Sequence, residues 1–199
     1  MLLILIGKSG SGKDSIAKRL AQNGWERIVK YTDRPKRQNE IDGVDYHFCY
    51  SEDLSHLIEI GSFISVQTFR VYNGDYWRYA IDFESLEDAI KDEKNAILIA
   101  TPRECDNIVN FVEESESLDN LDNIKVLYLR ATRGVRKERL LERGDNLKEI
   151  KRRLDADAED FTDDIYYDEY FDTDGVPIDI LVDEIEYYIE NDLGIELKN

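Results

Sequence analysis

The sequence predicts an α/β fold with a central parallel sheet, and three observations carry this prediction. Residues 2–6 and 96–100 are wholly apolar runs, and 124–129 is a third, mostly apolar run, as expected of strands buried on both faces. Stretches with a helical spacing of apolar residues separate these runs, and a glycine-rich turn directly follows the first. Alternation of buried strands with helices is typical of a parallel sheet covered on both faces.

The N-terminal elements follow from these patterns in order. The first strand ends at Gly7, and the helix after the turn stops near Asn23-Gly24. A second strand is predicted over 25–30, and residues 31–50 are polar and rich in turn signals.

A hairpin-rich segment, 32–82, interrupts the alternation and is predicted to be an insertion in the core. Residues 51–60 have the pattern of a short helix. The aromatic stretch 63–79 alternates in polarity, which predicts a β-hairpin with its turn at 73–74, an Asn-Gly pair.

The alternation resumes after the insertion. Ser85, with Asp88 three residues later, predicts a helix that starts there and runs to about residue 92. Thr101 and Glu104 have the spacing of a capping box at the start of the next helix, whose first residue is a proline.

The C-terminal part is predicted to be mainly helical. Helices are expected over 132–142, 148–159 and 180–189. The acidic, tyrosine-rich segment 155–174 is expected to be a solvated helix face and a loop.

Positive charge is concentrated in two segments of an acidic chain. The net charge is −18, yet residues 1–37 hold nine Lys or Arg against three acidic residues, and 130–153 hold ten against four. These segments either converge on one small polyanion or are solvated and paired with the acidic remainder. The overall acidity argues against non-specific binding to nucleic acid or to an anionic membrane.

No sequence feature points to export. The apolar run 2–6 is too short for a signal peptide or a membrane span. Cys49 and Cys105 lack the spacing of metal ligands or of a disulfide framework. We therefore expect a soluble cytoplasmic protein.

A phosphate-binding loop is the strongest single motif. Residues 7–13 read G-x-x-x-x-G-K between a predicted strand and a helix. The backbone N–H groups of such a loop turn toward phosphate oxygens, and the helix N-terminus adds positive charge. We expect the loop to bind ATP through Gly7, Ser9, Gly10, Ser11, Gly12, Lys13, Asp14 and Ser15.

The residue after Lys13 departs from the general pattern. Asp14 stands where Ser or Thr usually binds Mg²⁺. We expect Ser15 to hold the Mg²⁺ ion, with Asp14 binding it through water.

A second phosphate site is predicted after the second strand. Arg34 and Arg37 lie three residues apart around a proline, and Tyr46 follows. Two guanidinium groups and a phenol are suitable donors to a phosphate monoester. A solvated turn beside an ordinary core tyrosine is the alternative.

Together these stretches resemble the guanylate kinases. The loop, the T-x-R-P-x-R stretch at 32–37 and the D-G-V-D-Y-H-F run at 42–48 occur in the family's order and near its spacing. The runs R-L-L-E-R-G at 139–144 and E-I-K-R-R-L at 149–154 are similar to the family's lid, so the resemblance covers most of residues 1–160.

The resemblance implies a P-loop three-layer fold in a single kinase domain over 1–199. Its core would comprise 1–31, 83–131 and 156–199, with a monophosphate-binding insertion at 32–82 and a helical lid at 132–155. The implied enzyme is a monomer or homodimer that uses Mg²⁺ and transfers the ATP γ-phosphoryl group to GMP, dGMP or a related monophosphate.

The resemblance also implies roles for individual residues. The acceptor phosphate would be held by Arg34, Arg37, Tyr46 and Tyr79. The triphosphate and the transferred group would be neutralised by Lys13, Arg139, Arg143 and Arg153.

The base-reading positions depart from the family pattern. Ser65 stands where guanylate kinases carry a carboxylate that accepts from the ring N–H and the amino group of guanine, with Gln67 on the same strand face. Thr101 stands near the second family carboxylate, and the usual Tyr-Gly-Ser/Thr clasp becomes Tyr79-Ala80-Ile81. An amide cannot accept from two donors with one oxygen.

Two alternatives therefore stay open. The first is a kinase for a different deoxynucleotide or a small phosphorylated acceptor. The second is a non-catalytic guanylate-kinase-like binding module, against which the retained Gly7, Gly12 and Lys13 argue.

Overall fold

The computed structural model describes residues 1–91, 95–115, 121–195 and 197. The elements of the first half are β1 (Leu2–Ile6), α1 (Lys13–Gln22), β2 (Glu26–Arg27), β3 (Tyr31–Thr32), β4 (His47–Phe48), α2 (Ser51–Glu59), β5 (Phe63–Arg70), β6 (Tyr76–Asp82) and α3 (Phe83–Lys91). Those of the second half are β7 (Ala96–Ile99), α4 (Pro102–Glu114), a 3₁₀ turn (Leu121–Asn123), β8 (Ile124–Arg130), α5 (Arg133–Glu142), α6 (Leu147–Asp160), β9 (Glu169–Asp172), α7 (Ile178–Tyr187) and a π-helical turn (Tyr188–Asp192).

The core is a five-stranded, fully parallel sheet in the order β2-β7-β1-β8-β9. Strand β1 lies at its centre and is buried along its whole length. Side chains of α1 and α7 pack on one face, and those of α3 and α4 pack on the other. The predicted α/β, three-layer fold is thereby confirmed, and it places the carboxyl end of β1 in the middle of the sheet edge where ligands bind such folds.

Residues 31–82 contain a second sheet in the order β4-β3-β6-β5, with α2 against it. The predicted hairpin is present as β5 and β6, with Gln67 paired to Tyr79 and Thr68 to Arg78. Its turn contains Gly74 at φ 96°, a left-handed conformation that glycine adopts without steric cost.

Three predictions about elements were wrong. The strand over 25–30 is reduced to the two residues of β2, because the chain leaves the parallel sheet and enters the second sheet at β3. Helix α3 begins before Ser85, because β6 runs directly into it and Asp82 Oδ1 accepts the hydrogen bond from Ser85 N at 2.9 Å. The predicted end of that helix at residue 92 lies outside the described residues.

The third error concerns the acidic segment 155–174. It contains β9, an edge strand that pairs with β8 in parallel. Phe171 packs against the core, while its neighbours Tyr170 and Asp172 face outward. Asp168 Oδ2 also accepts from Val126 N at 2.7 Å, so an acidic side chain helps to align the strand.

The capping box of α4 is present as predicted, with Glu104 N donating to Thr101 Oγ1 at 3.2 Å and Thr101 N donating to Glu104 Oε2 at 2.7 Å. Helices α5 and α6 pack on each other through a small cluster of Leu140, Ile150 and Leu154. Within the described ranges, the helices lack the combination of length and apolarity that crossing a bilayer requires.

Candidate active site

The phosphate-binding loop joins β1 to α1 and packs beneath α5. Gly10 adopts φ 81°, and a Cβ at this position would lie 2.7 Å from the carbonyl oxygen of Arg136. Gly12 caps α1 at φ 99°. A side chain at Gly10 would push the loop away from α5, so the glycine is required by both the backbone angle and the space.

Lys13 is half-buried at the mouth of this loop. Its Nζ donates to the carbonyl oxygens of Gly7 and Lys8, the latter at 3.2 Å. Burial lowers the pKa of Lys13 to about 8, against the opposing effect of the carboxylates of Asp14 and Asp157. Binding of an anion beside Lys13 would therefore raise its pKa and stabilise the charged ammonium form.

The predicted acceptor-phosphate residues are organised by a glutamate. Arg34 is buried and donates to Glu40 Oε1 at 2.7 Å and to the Pro35 carbonyl at 2.8 Å. Arg37 donates to the same Glu40 oxygen at 3.0 Å through its guanidinium group, and to Oε2 at 2.8 Å through its backbone N–H. Glu40 thus fixes both guanidinium groups, a role that the sequence analysis missed.

Aromatic rings form the wall beside these arginines. The guanidinium carbon of Arg34 lies 5.3 Å from the ring centre of Tyr46 and 5.4 Å from that of Phe48. The rings of Tyr46 and Tyr79 meet edge to face at 5.6 Å. Burial raises the pKa of the Tyr46 phenol, which therefore stays a neutral hydrogen-bond donor.

The two cationic segments of the sequence converge on one cleft. Its walls include Lys13 from the loop, Arg34 and Arg37 from the segment between β3 and β4, Arg143 at the end of α5 and Arg153 from α6. Burial and then the charges of Arg34, Arg143 and Arg153 lower the pKa of Arg37. Like charges at this density favour the binding of a polyanion.

The arginines of α5 and α6 are held by acidic neighbours. Arg143 forms a two-point ion pair with Asp145, and Arg153 Nε donates to Glu149 Oε1 at 2.9 Å. Arg152 also binds Glu149, at 2.8 and 3.0 Å, and lines the cleft, although the sequence analysis did not select it. Its position beside Arg153 in the run E-I-K-R-R-L was the available sequence signal.

Arg139 lies on another side of the loop. It donates to Gly10 O at 3.3 Å, to Thr173 Oγ1 at 2.9 Å and to Thr173 O at 2.6 Å. Thr173 Oγ1 in turn donates to Ser11 O at 2.9 Å. Arg139 thus ties the loop to the segment before α7 and borders a separate cavity of about 510 Å³, whose walls include Val176.

The predicted metal residues lie on the first turn of α1. Asp14 and Ser15 are exposed and line the cavity beside Arg139. Asp14 Oδ1 accepts from Arg27 at 3.2 Å. Carboxylate and hydroxyl oxygens suit Mg²⁺, which commonly takes one or two protein ligands and completes its shell with phosphate and water. One carboxylate and one hydroxyl that lie together on the first turn of α1 and line one cavity fit this shared mode of binding.

The predicted base-reading residues are divided between two environments. Ser65 is buried, and its Oγ accepts from Asn107 Nδ2 of α4 at 3.0 Å. Gln67 Nε2 donates to Thr101 Oγ1 at 2.8 Å. Gln67 and Thr101 both line a cavity of about 1190 Å³ that adjoins the cationic cleft. The two cavities share five residues in their walls: Phe69, Thr101, Arg152, Ala156 and Asp160.

A largely buried ion pair lies in the wall of the cationic cleft. Lys30 Nζ donates to both carboxylate oxygens of Glu104, at 2.8 and 2.9 Å. Glu104 is completely buried and also closes the capping box with Thr101. A charged pair that is hydrogen-bonded at each end avoids the cost of an isolated buried charge.

Comparisons with known proteins agree with this arrangement. Residues 1–191 match the family model described as guanylate kinase. The guanylate kinase of Enterococcus faecalis is 32% identical over 80 residues, which are 39% of this chain and 38% of that protein. The guanylate kinase of Chlorobium luteolum is 39% identical over 70 residues, which are 34% of this chain and 36% of that protein.

A relative from Schizosaccharomyces pombe, also a guanylate kinase, is 29% identical over 99 residues, which are 48% of this chain and 46% of the relative. The matched stretches thus span between a third and a half of these curated relatives. The crystal structure of guanylate kinase from Anaplasma phagocytophilum shares the fold, with a TM-score of 0.66 at 18% identity over 97% of this chain and 86% of that one. Because the family model matches nearly its whole length, the chain belongs to the guanylate kinase family.

Proposed function

We propose that the protein is an ATP-dependent nucleoside monophosphate kinase that transfers the γ-phosphoryl group of ATP to GMP, dGMP or a related monophosphate. One observation carries the proposal. Lys13 of the phosphate-binding loop, Arg34 and Arg37 of the segment after β3, Arg143 at the end of α5 and Arg153 of α6 line a single cleft. This arrangement supports adjacent sites for a donor and an acceptor phosphate.

The reaction requires positioning and charge neutralisation. An oxygen of the acceptor phosphate attacks the γ-phosphorus, the bond from that phosphorus to the β–γ bridging oxygen breaks, and ADP leaves with the electron pair. Arg34, Arg37, Tyr46 and Tyr79 are proposed to orient the attacking phosphate. Lys13, Arg143 and Arg153 are proposed to stabilise the charge that moves to the leaving group.

Neither a covalent nucleophile nor a general base is needed. A phosphate monoester has a second pKa of about 6, so it is largely dianionic at neutral pH and attacks without losing a proton to the protein. Mg²⁺, held by the donor phosphates together with Asp14 and Ser15, would neutralise part of the phosphate charge. Arg139 is proposed to border the donor nucleoside, beside the cavity next to Thr173.

A coupled ADP assay with a panel of nucleoside and deoxynucleoside monophosphates tests this proposal. Phosphorylation of at least one of them, dependent on ATP and Mg²⁺, is the expected result. ATP binding without activity on any nucleotide would favour a small phosphorylated acceptor of another kind. Calorimetry that detects no ATP binding would favour a non-catalytic module.

A second acceptor class is favoured by the Gln67–Thr101 pair. Thr101 Oγ1 already accepts from Gln67 Nε2 and from Glu104 N, so its remaining capacity is to donate its proton. Gln67 Oε1 remains an acceptor. Such a pair complements a base edge with one donor beside one acceptor, as in cytosine, thymine or adenine, better than the two adjacent donors of guanine. The same panel, compared by kcat/KM, distinguishes the two classes.

A further inference from the structure

An acidic side chain occupies part of the phosphate-binding loop. Asp157 of α6 is buried in the cleft that contains Lys13. Both of its carboxylate oxygens accept from Ser9 N at 3.0 Å, and Oδ1 also accepts from Ser9 Oγ at 3.0 Å. A donor group of the loop, where an anion is expected to bind, is thus engaged by an anion of the protein itself.

A second helix stabilises this contact. Arg136 of α5 donates to Asp157 Oδ2 at 2.6 Å and to Ser9 O at 3.3 Å. The Asp157 carboxylate therefore accepts from three donors: the backbone N–H of Ser9, the hydroxyl of Ser9 and the guanidinium group of Arg136. The side chains of Asp157 and Arg136 are both almost inaccessible to water. A buried carboxylate that is paired and hydrogen-bonded in this way holds one arrangement as long as no other anion takes its place.

The contact competes with phosphate for two reasons. The N–H of Ser9 and its hydroxyl have the carboxylate as their acceptor, so a phosphate oxygen that used the same donors would have to displace it. A carboxylate in a shielded cleft also repels a polyanion at short range. Its electrostatic influence reaches Lys13, whose protonated form it favours.

We propose that Asp157 is an internal anion that the terminal phosphate of the donor displaces from the loop, so that donor binding releases α6 from the loop. This inference rests on the proposed function. Arg153 lies one helical turn before Asp157, and Arg152 lies beside it in the chain. Both pair with Glu149 on the same helix, so displacement would let α6 carry them toward the transferred group only after the donor has bound. Asp157 is a positioning residue in this scheme, since it acts through α6.

The coupling has a measurable consequence for affinity. When only a fraction of the protein is in the binding-competent state, the apparent Kd equals the intrinsic Kd divided by that fraction. Removing the internal anion removes this penalty, and we expect the Kd for ATP to fall on the order of tenfold.

Titration calorimetry with ATP·Mg²⁺ on the full chain tests the inference with Asp157→Asn. The matched control is Asp155→Asn, on the same helix, whose carboxylate forms an exposed pair with Arg133 at 3.2 Å. Asp157→Asn is expected to bind ATP about tenfold more tightly, with a lower KM for ATP but no increase in kcat, whereas the control is expected to match the wild type. Unchanged or weaker ATP binding in Asp157→Asn would overturn the inference.

Hydrogen exchange supplies a second readout. In the wild type, ATP is expected to increase exchange of the backbone amides at the end of α6, whereas in Asp157→Asn exchange there is expected to be fast without ATP. A wild-type helix that becomes more protected at this end when ATP binds would contradict the inference.

A further variant guards against misfolding. Asp157→Asn leaves Arg136 without its charged partner, which destabilises a buried site. The double substitution Arg136→Met with Asp157→Leu removes both charges and leaves the net charge of the cleft unchanged. Tighter ATP binding is again expected, and equal or weaker binding by the folded double variant would overturn the inference. A wild-type protein that does not bind ATP would instead contradict the proposed function.

Discussion

The proposed donor side and the proposed acceptor side of the cleft are built in different ways. The donor side is one continuous stretch, in which residues 7–15 supply the glycines, the lysine and the start of a helix. The acceptor side is assembled from separate elements, with Arg34 near β3, Gln67 on β5, Thr101 before α4 and Arg152 on α6. A continuous loop keeps its phosphate-binding groups together when the rest of the sequence changes. A pocket assembled from several elements changes its shape and its hydrogen-bonding groups whenever one of those elements is substituted or moves.

The largest expected effect concerns two cations of the shared cleft, Lys13 on the proposed donor side and Arg143 at the end of α5. Lys13→Ala or Arg143→Ala should lower kcat on the order of a hundredfold or more, because each removes a charge that stabilises the transferring phosphoryl group. Steady-state kinetics check this, with Lys137→Ala on the exposed face of α5 as the charge-matched control. Near-normal turnover in both variants would exclude the proposed mechanism.

The next largest effect should be confined to acceptor binding and should leave ATP binding unchanged. Arg37→Ala should raise the KM for the acceptor roughly ten- to a hundredfold, as expected for the loss of hydrogen bonds to a charged group. The Kd for ATP should change little. Lys36→Ala, which removes an exposed neighbouring charge, is the control. A parallel loss of ATP affinity would mean that the two sites are not separate.

A pH titration examines the donor side alone. Lys13 has a lowered pKa of about 8, so its ammonium form predominates below that pH and is lost above it. ATP affinity, measured by calorimetry in buffers of equal ionic strength, should weaken on the order of tenfold from pH 7 to pH 9. The Lys13→Arg variant keeps its charge over this range and should give a flat profile. A flat wild-type profile would show that Lys13 is not the group responsible.

The smallest effect concerns base selection. Gln67→Glu supplies a second acceptor oxygen and should shift kcat/KM toward guanine nucleotides by roughly three- to tenfold relative to the other monophosphates. Ser65→Ala should change that ratio less than about twofold, because it removes only a neutral hydrogen bond from Asn107, which does not face the proposed base site. The reverse ranking of the two variants would assign base reading to Ser65.

The difference between the two sides also explains what the sequence predicted. The buried strands, the loop and the capping box of Thr101 and Glu104 are local patterns, and the fold, the family and these elements are confirmed. The convergence of the two cationic segments was one of two predicted explanations, and the cleft has that arrangement. The individual roles assigned to the site residues stay predictions.

Contacts between distant elements were not predictable in the same way. Glu40 binds both acceptor-side arginines, and Asp157 reaches the loop from a helix almost 150 residues away in the chain. Neither residue belongs to a motif. Strand β9 was missed because acidic residues are normally taken as evidence against a strand, although at a sheet edge only one face must be apolar.

The hydroxyl of Thr101 has a consequence for how substrate choice can evolve. The same oxygen starts helix α4 and accepts from the side chain of Gln67 at the rim of the larger cavity. We therefore expect a substitution at Thr101 to lower the stability of the fold and to change the ligand preference at the same time. Selection for a stable protein would then remove most such substitutions. Gln67 does not cap a helix. We therefore expect substitutions at Gln67 to change the nucleotide preference with less effect on folding than substitutions at Thr101.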